Sequence, residues 1–198
     1  MNNRLYQFIR KITTFLLKLI YGIKIINKDY IPENGPIIFV GNHKHNYDGI
    51  SLMSTTKRPI SFLAKKELLD KHGWLFSRLG IIPVNRNTKN KEAIEKAVSV
   101  LNNGGVIGIF PEGTFNKTEY IVRPFKYGAV KISSMTHAPI VPFAIVGEYK
   151  RFRRNIKIVF GKPYYVEDKR DLTKENIKLM NKVIRLMKGK EDKHGEKK

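Results

Sequence analysis

From Arg4 to Ile20 the polar and apolar positions alternate with a helical rhythm. Polar residues fall at Arg4, Gln7, Lys11, Thr14 and Lys18, spaced three, four, three and four apart, with Arg10 beside them. Between them lie Leu5, Phe8, Ile9, Ile12, Phe15, Leu16, Leu19 and Ile20. This period predicts one helix with a basic stripe and a broad apolar face. Such a face suits the core of a globular domain. It also suits a membrane interface, with the cations among anionic headgroups and Phe and Leu among acyl chains. The width of the apolar face and the basicity of the stripe favour the interface, so residues 1–23 are read as an amphipathic membrane-interface helix. Lys11, Lys18 and Lys24 interrupt any run approaching the ~18 apolar residues of a spanning helix. The stretch Phe15 to Ile26 carries two lysines and no small-residue cleavage site follows, unlike a signal peptide.

Beyond this helix the pattern changes. Short β-rich runs stand at Ile37–Val40, Ile60–Leu63, Ile81–Val84, Val106–Phe110, Ile140–Ile145 and Ile156–Phe160. Helical patterns lie between or after them, clearest over Lys89–Asn103, Phe125–Met135 and Thr173–Met187, and Gly104 and Gly105 stop the first sharply. Strands alternating with helices predict an α/β fold, a mostly parallel or mixed sheet flanked by helices. No repeat or long linker divides residues 24–187, which are read as one domain. Residues 188–198 are almost all charged or Gly and are read as a disordered tail.

Composition narrows the function classes. At 198 residues, 41% hydrophobic and 28% charged, the chain is neither a disordered tail nor a bundle of spans. It has no cysteine, which excludes disulfide scaffolds, thiolate metal sites and cysteine nucleophiles. Thirty-eight Lys and Arg against seventeen Asp and Glu give a formal net charge of +21, so some polyanion is expected as a partner: nucleic acid, an anionic membrane or an acidic carrier.

Three predicted strands end in chemistry, where open α/β sheets gather their sites. The first runs Ile37-Ile38-Phe39-Val40-Gly41-Asn42-His43-Lys44-His45-Asn46-Tyr47-Asp48. A turn of that length can bring Asp48 to one imidazole nitrogen of His43, fixing the tautomer and leaving the other nitrogen as a general base. The same residues also read as a loop salt bridge or, with His45, as metal ligands. The second strand, Gly80 to Val84, leads through Asn85 to Arg86, whose planar fork suits a phosphate if it turns inward. The third runs Val106-Ile107-Gly108-Ile109-Phe110-Pro111-Glu112-Gly113-Thr114. Its glycine allows close backbone approach to a ligand, and by itself the segment reads equally as a turn.

In order and spacing these segments resemble the glycerolipid acyltransferase family, which includes bacterial 1-acylglycerol-3-phosphate O-acyltransferases. The family's Asn-His, four residues, Asp block is matched by Asn42, His43 and Asp48. Its Gly-Ile strand closing on Arg is matched by Gly80 through Arg86, and its Phe-Pro-Glu-Gly-Thr block by Phe110 through Thr114. Its apolar Val-Pro strand is matched by Ile140 through Ile145. Lys126 and Gly128 resemble the segment between the last two blocks, and the likeness covers roughly residues 24–165.

The resemblance implies that His43 deprotonates the acceptor hydroxyl and that Asp48 orients it. It implies that Arg86, with Glu112, Gly113, Thr114 and Lys126, positions a glycerol phosphate, and that Val141 and Pro142 serve the acyl-donor side or the structure. Like charges repel, so a hydroxyl or a nearby cation is a better partner for Glu112 than a phosphate. The acceptor would be lysophosphatidic acid and the product phosphatidic acid, an intermediate of phospholipid biosynthesis. The donor would be acyl-CoA or an acyl carrier protein. The thioester supplies the activation, so no metal or organic cofactor is implied. With the basic N-terminal helix, a peripheral location on anionic lipids at the cytoplasmic face of the cell membrane is expected.

Two positions depart from the family pattern. His45 stands two after His43, where a small polar residue is usual, and Phe115 stands where the third block continues with Arg. These put the identity of the acceptor in question more than the reaction, and another lipid acceptor stays open. A non-catalytic basic membrane- or nucleic-acid-binding module is disfavoured by the intact His43, Asp48 and Glu112 and by the lack of a nucleic-acid motif. A serine hydrolase is disfavoured by the lack of a Gly-x-Ser-x-Gly elbow.

Overall fold

A computed structural model describes residues 1–85 and 90–190. In chain order it contains α1 (Asn3–Tyr21), β1 (Lys24–Ile26), a 3-10 turn (Lys28–Tyr30), β2 (Ile37–Gly41), α2 (Asp48–Met53), β3 (Ile60–Lys65), α3 (Glu67–Arg78) and β4 (Ile82–Val84). There follow α4 (Lys91–Asn102), β5 (Val106–Ile109), α5 (Gly128–Thr136), β6 (Ile140–Val146), β7 (Lys157–Phe160) and α6 (Leu172–Met187). The seven strands form one sheet in the order β1-β7-β6-β2-β5-β3-β4. Every neighbouring pair is parallel except β6 with β7, so the sheet is mixed.

Both sheet faces are covered, which explains why the strands read as continuous apolar runs rather than as alternations. Along β2, Ile37 and Phe39 join one core while Ile38 and Val40 join the other. The first core receives Tyr6, Leu17 and Tyr21 from α1 and Leu52 and Met53 from α2. The second receives Ala93, Ala97 and Leu101 from α4, Val130 and Ile132 from α5, and Leu179 and Val183 from α6. The result is a three-layer α/β/α arrangement.

The expected strands appear with ends shifted by at most two residues. The helix expected over Phe125–Met135 starts at Gly128, because the Lys126 N–H donates to the Pro111 carbonyl at 2.9 Å and holds the preceding residues as loop. Two elements escaped the pattern. β1 is three residues long and reads as a continuation of the apolar helix before it. α3 runs unbroken through Gly73, a residue that weakens a helix and hid this one in the sequence.

α1 has a buried side and an exposed apolar side. It buries Tyr6 and Leu17 in the same core as the sheet. On its outer side Phe8 is 63%, Phe15 66% and Leu19 57% exposed, beside Ile12 and Leu16. Among the described residues no helix is long and apolar enough to cross a membrane. Of the expected tail, residues 191–198 lie outside the described residues.

Candidate active site

β2 delivers His43 to the carboxyl edge of the sheet, and two local devices fix how it arrives. Gly41 packs against the Phe143 ring so closely that a Cβ would sit 2.5 Å from it. Asn42 then replaces backbone pairing with its side chain: Nδ2 donates to the Ile145 carbonyl at 3.0 Å and Oδ1 accepts from the Ile145 N–H at 2.8 Å. The chain is thereby anchored to β6 one residue before the histidine.

His43 Nδ1 lies 2.9 Å from Asp48 Oδ2. A carboxylate only accepts, so Nδ1 carries the proton, and in the neutral ring Nε2 is the nitrogen with the free lone pair. Asp48 is fully buried, while the His43 side chain is 19% exposed. The same Oδ2 accepts the N–H groups of Lys44 at 2.6 Å and His45 at 2.8 Å, so the loop folds around the carboxylate. The imidazole stacks on Phe110 with centroids 4.1 Å apart and meets Phe115 at 4.5 Å.

Glu112 holds the next layer. It is almost wholly buried; Oε1 accepts the His43 N–H and Oε2 accepts the Arg123 N–H, each at 2.8 Å. Burial pushes its carboxyl above the usual range, opposed by these two N–H bonds. Its oxygens thus tie the loop after β2 to two points of the long loop between β5 and α5. The His43 carbonyl in turn accepts the Asn116 N–H at 2.8 Å.

The remaining expected residues fall in different places. Gly113 adopts φ +68°, and a Cβ there would approach Lys126 Cε to 3.1 Å and Nζ to 3.2 Å, so the glycine leaves room for that lysine. Thr114 is half-buried in the same loop. Val141 and Pro142 lie inside the sheet on β6, both buried. Arg86 lies outside the described residues. His45 packs its ring against Tyr47 and Tyr149, and its Nδ1 accepts the Tyr47 N–H at 3.3 Å. Among the described residues no three His, Cys, Asp or Glu side chains are grouped to hold a metal ion.

The sequence pattern alone did not single out two supports. Phe110, the stacking partner of His43, lay inside a quoted motif but read as strand core. Tyr149 donates its hydroxyl to Ser51 Oγ at 2.9 Å, across 98 positions of chain. Burial and the neighbouring Asp48 carboxylate both push its phenol pKa up, keeping it protonated behind the dyad.

Against this geometry stand the comparisons with known proteins. A family model described as Acyltransferase matches residues 22–146. The 1-acyl-sn-glycerol-3-phosphate acyltransferase of Bacillus subtilis is 29% identical over 188 residues, covering 91% of this chain and 93% of its own. The protein of the same name from Borreliella burgdorferi is 34% identical over 151 residues, 73% of this chain but 60% of its own length. The crystal structure of the 1-acyl-sn-glycerophosphate (LPA) acyltransferase PlsC from Thermotoga maritima shares the fold, with a TM-score of 0.72 at 21% identity over 94% of this chain and 79% of that one.

Proposed function

The chain belongs to the Acyltransferase family, and from that premise we propose that it acylates the free hydroxyl of 1-acylglycerol-3-phosphate from a thioester donor, forming phosphatidic acid. The observation that carries this reading is the 2.9 Å contact between His43 Nδ1 and a fully buried Asp48. With Nδ1 so occupied, Nε2 takes the proton of the acceptor hydroxyl as its oxygen bonds to the thioester carbonyl carbon. The tetrahedral adduct collapses, the C–S bond breaks, and the departing thiolate recovers that proton from the imidazolium. Asp48 stabilises the imidazolium between the two transfers.

Acceptor binding falls to Arg86, Lys126, and the Gly113 and Thr114 loop. Glu112 spends both carboxylate oxygens on backbone N–H groups, so its part is to shape the loops around the acceptor. Val141 and Pro142, buried in β6, serve the structure. The thioester carries the activation, and the reading calls on no cofactor. Phe115, packed on His43 where a cation is usual, favours a second reading in which the acceptor is another lipid. We further assign the outer side of α1 to an anionic leaflet at the cytoplasmic face.

The test is acyl transfer by purified protein to a panel of lipid acceptors including lysophosphatidate, with acyl-CoA or acyl carrier protein, and products identified by mass. His43→Ala is expected to lower the rate by about 10³-fold or more while the fold stays intact. A near-normal rate in this variant overturns the assignment of the base.

A further inference from the structure

Strand order separates two approaches to His43. β2, which delivers it, lies between β5 and β6. On the β5 side lie Glu112 after β5, the exposed Lys65 at the end of β3, and Asn85 after β4. This is the side given above to the acceptor. On the β6 side, where the resemblance left Val141 and Pro142 to the acyl donor or the structure, lies a groove of ≈ 430 Å³. Lys44, the residue after His43, lines it with Asn116 and Ile121 of the loop after β5, Val146 at the end of β6, and Met187 and Lys188 at the end of α6.

One wall of this groove is tied to the dyad. Asn116 organises it: Oδ1 accepts the Thr118 N–H at 3.0 Å and hydroxyl at 2.7 Å, and Nδ2 donates to the Tyr120 carbonyl at 2.8 Å. The N–H of the same residue donates to the His43 carbonyl. The opposite wall is the end of α6. The lining is mixed in a particular way. Ile121 and Met187 are apolar, Lys44 and Lys188 are cationic, and Glu119 is the lone carboxylate among the lining residues.

We propose that this groove holds the phosphopantetheine arm of the thioester donor. The arm is a thin chain of amides and short alkyl segments that ends in a phosphate, and it is common to coenzyme A and to acyl carrier proteins. The volume lies within the span of small-ligand sites. Ile121 and Met187 cover the alkyl segments, and the lysines meet the phosphate as point charges. The thioester then reaches His43 from the β6 side while the hydroxyl reaches it from the β5 side, so two large amphiphiles avoid a shared path. This inference rests on the acyl-transfer reading above and adds the donor's place to it.

The experiment uses the full chain, Lys188→Glu and Ile121→Asp, with unchanged melting temperature as the check on folding. Three donors are compared: acyl-CoA, acyl carrier protein and S-acyl phosphopantetheine. Each variant is expected to raise the KM of all three about tenfold, with the acceptor KM within twofold of the unmodified chain. Separately, calorimetry should detect binding of 4′-phosphopantetheine to the unmodified chain and its loss in Ile121→Asp. Unchanged donor KM values overturn the proposal. So does an effect confined to the carrier protein, which places Lys188 against the carrier's surface, or one confined to acyl-CoA, which places it against the nucleotide. If no donor yields product, the acyl-transfer reading fails on its own, and the calorimetry still decides the groove: phosphopantetheine binding lost in Ile121→Asp supports it, and no binding sinks it.

Discussion

At the residue scale, His43 is constrained on several sides. Asp48 holds Nδ1, Glu112 holds the backbone N–H, Asn116 holds the carbonyl, and Phe110 lies against the ring. Such a residue has little rotamer freedom left to lose when substrate arrives. Glu112 is the pivotal support, because each of its oxygens satisfies a different loop's N–H. In Glu112→Gln the new amide group must point a donor at one of those N–H groups. The expected cost is about 1–3 kcal/mol of stability in urea unfolding, the price of one buried unsatisfied donor, accompanied by a fall in transfer rate. A variant as stable and active as the unmodified chain contradicts the scaffolding role. In the sequence, Glu112 was legible as part of a motif but its partners were not. The His43 N–H is 69 positions away, and no local pattern reports which groups a buried carboxylate will meet.

At the element scale, α1 combines two faces that the sequence period merged. Its inner side sets Tyr6 against β3, where the Tyr6 hydroxyl accepts the Ile60 N–H at 3.0 Å. Burial is the largest effect on that phenol and raises its pKa from 10.0 to about 12. A raised folded value means that the folded state holds the proton more tightly. This stabilising contribution is therefore full below pH 10.0 and is lost as pH rises through about 12. Tyr6→Phe should unfold about 1–3 kcal/mol more easily at neutral pH, because the Ile60 N–H loses its acceptor. It should also lack the part of the alkaline destabilisation that this phenol causes. Parallel alkaline profiles for the two proteins would remove Tyr6 as the link. The outline of α1 was readable from spacing, whereas β1 and α3 were not. A three-residue edge strand has no period to detect, and α3 runs through Gly73, a residue that weakens a helix.

At the scale of the whole molecule, the net charge of +21 and the outer side of α1 are the two features on which the proposed contact with an anionic leaflet rests. Phe8, Phe15 and Leu19 face outward beside the exposed Arg4, Lys11 and Lys18. The combined substitution of Phe8, Phe15 and Leu19 by Ser should release the protein from anionic vesicles with little change in melting temperature, since these side chains lie outside the core. Added salt should weaken binding of the unmodified chain, as screening shortens the reach of its lysines to the headgroups. Undiminished co-sedimentation of the triple variant would place the contact elsewhere.

The sequence by itself determined the alternation of strands and helices, the four motif blocks and, through them, the family. These depend on residue type and short spacing, which the chain carries locally. The three-dimensional fold decided which side of α1 is buried, and it turned the five-residue interval between His43 and Asp48 into a hydrogen bond between a partly exposed imidazole and a buried carboxylate. It also placed the strand ends on two sides of His43, with a groove beside the end of β6. Each of these depends on contacts between segments far apart in the chain. The order of strands in a sheet, and the partner each buried polar atom finds, arise only when those segments pack.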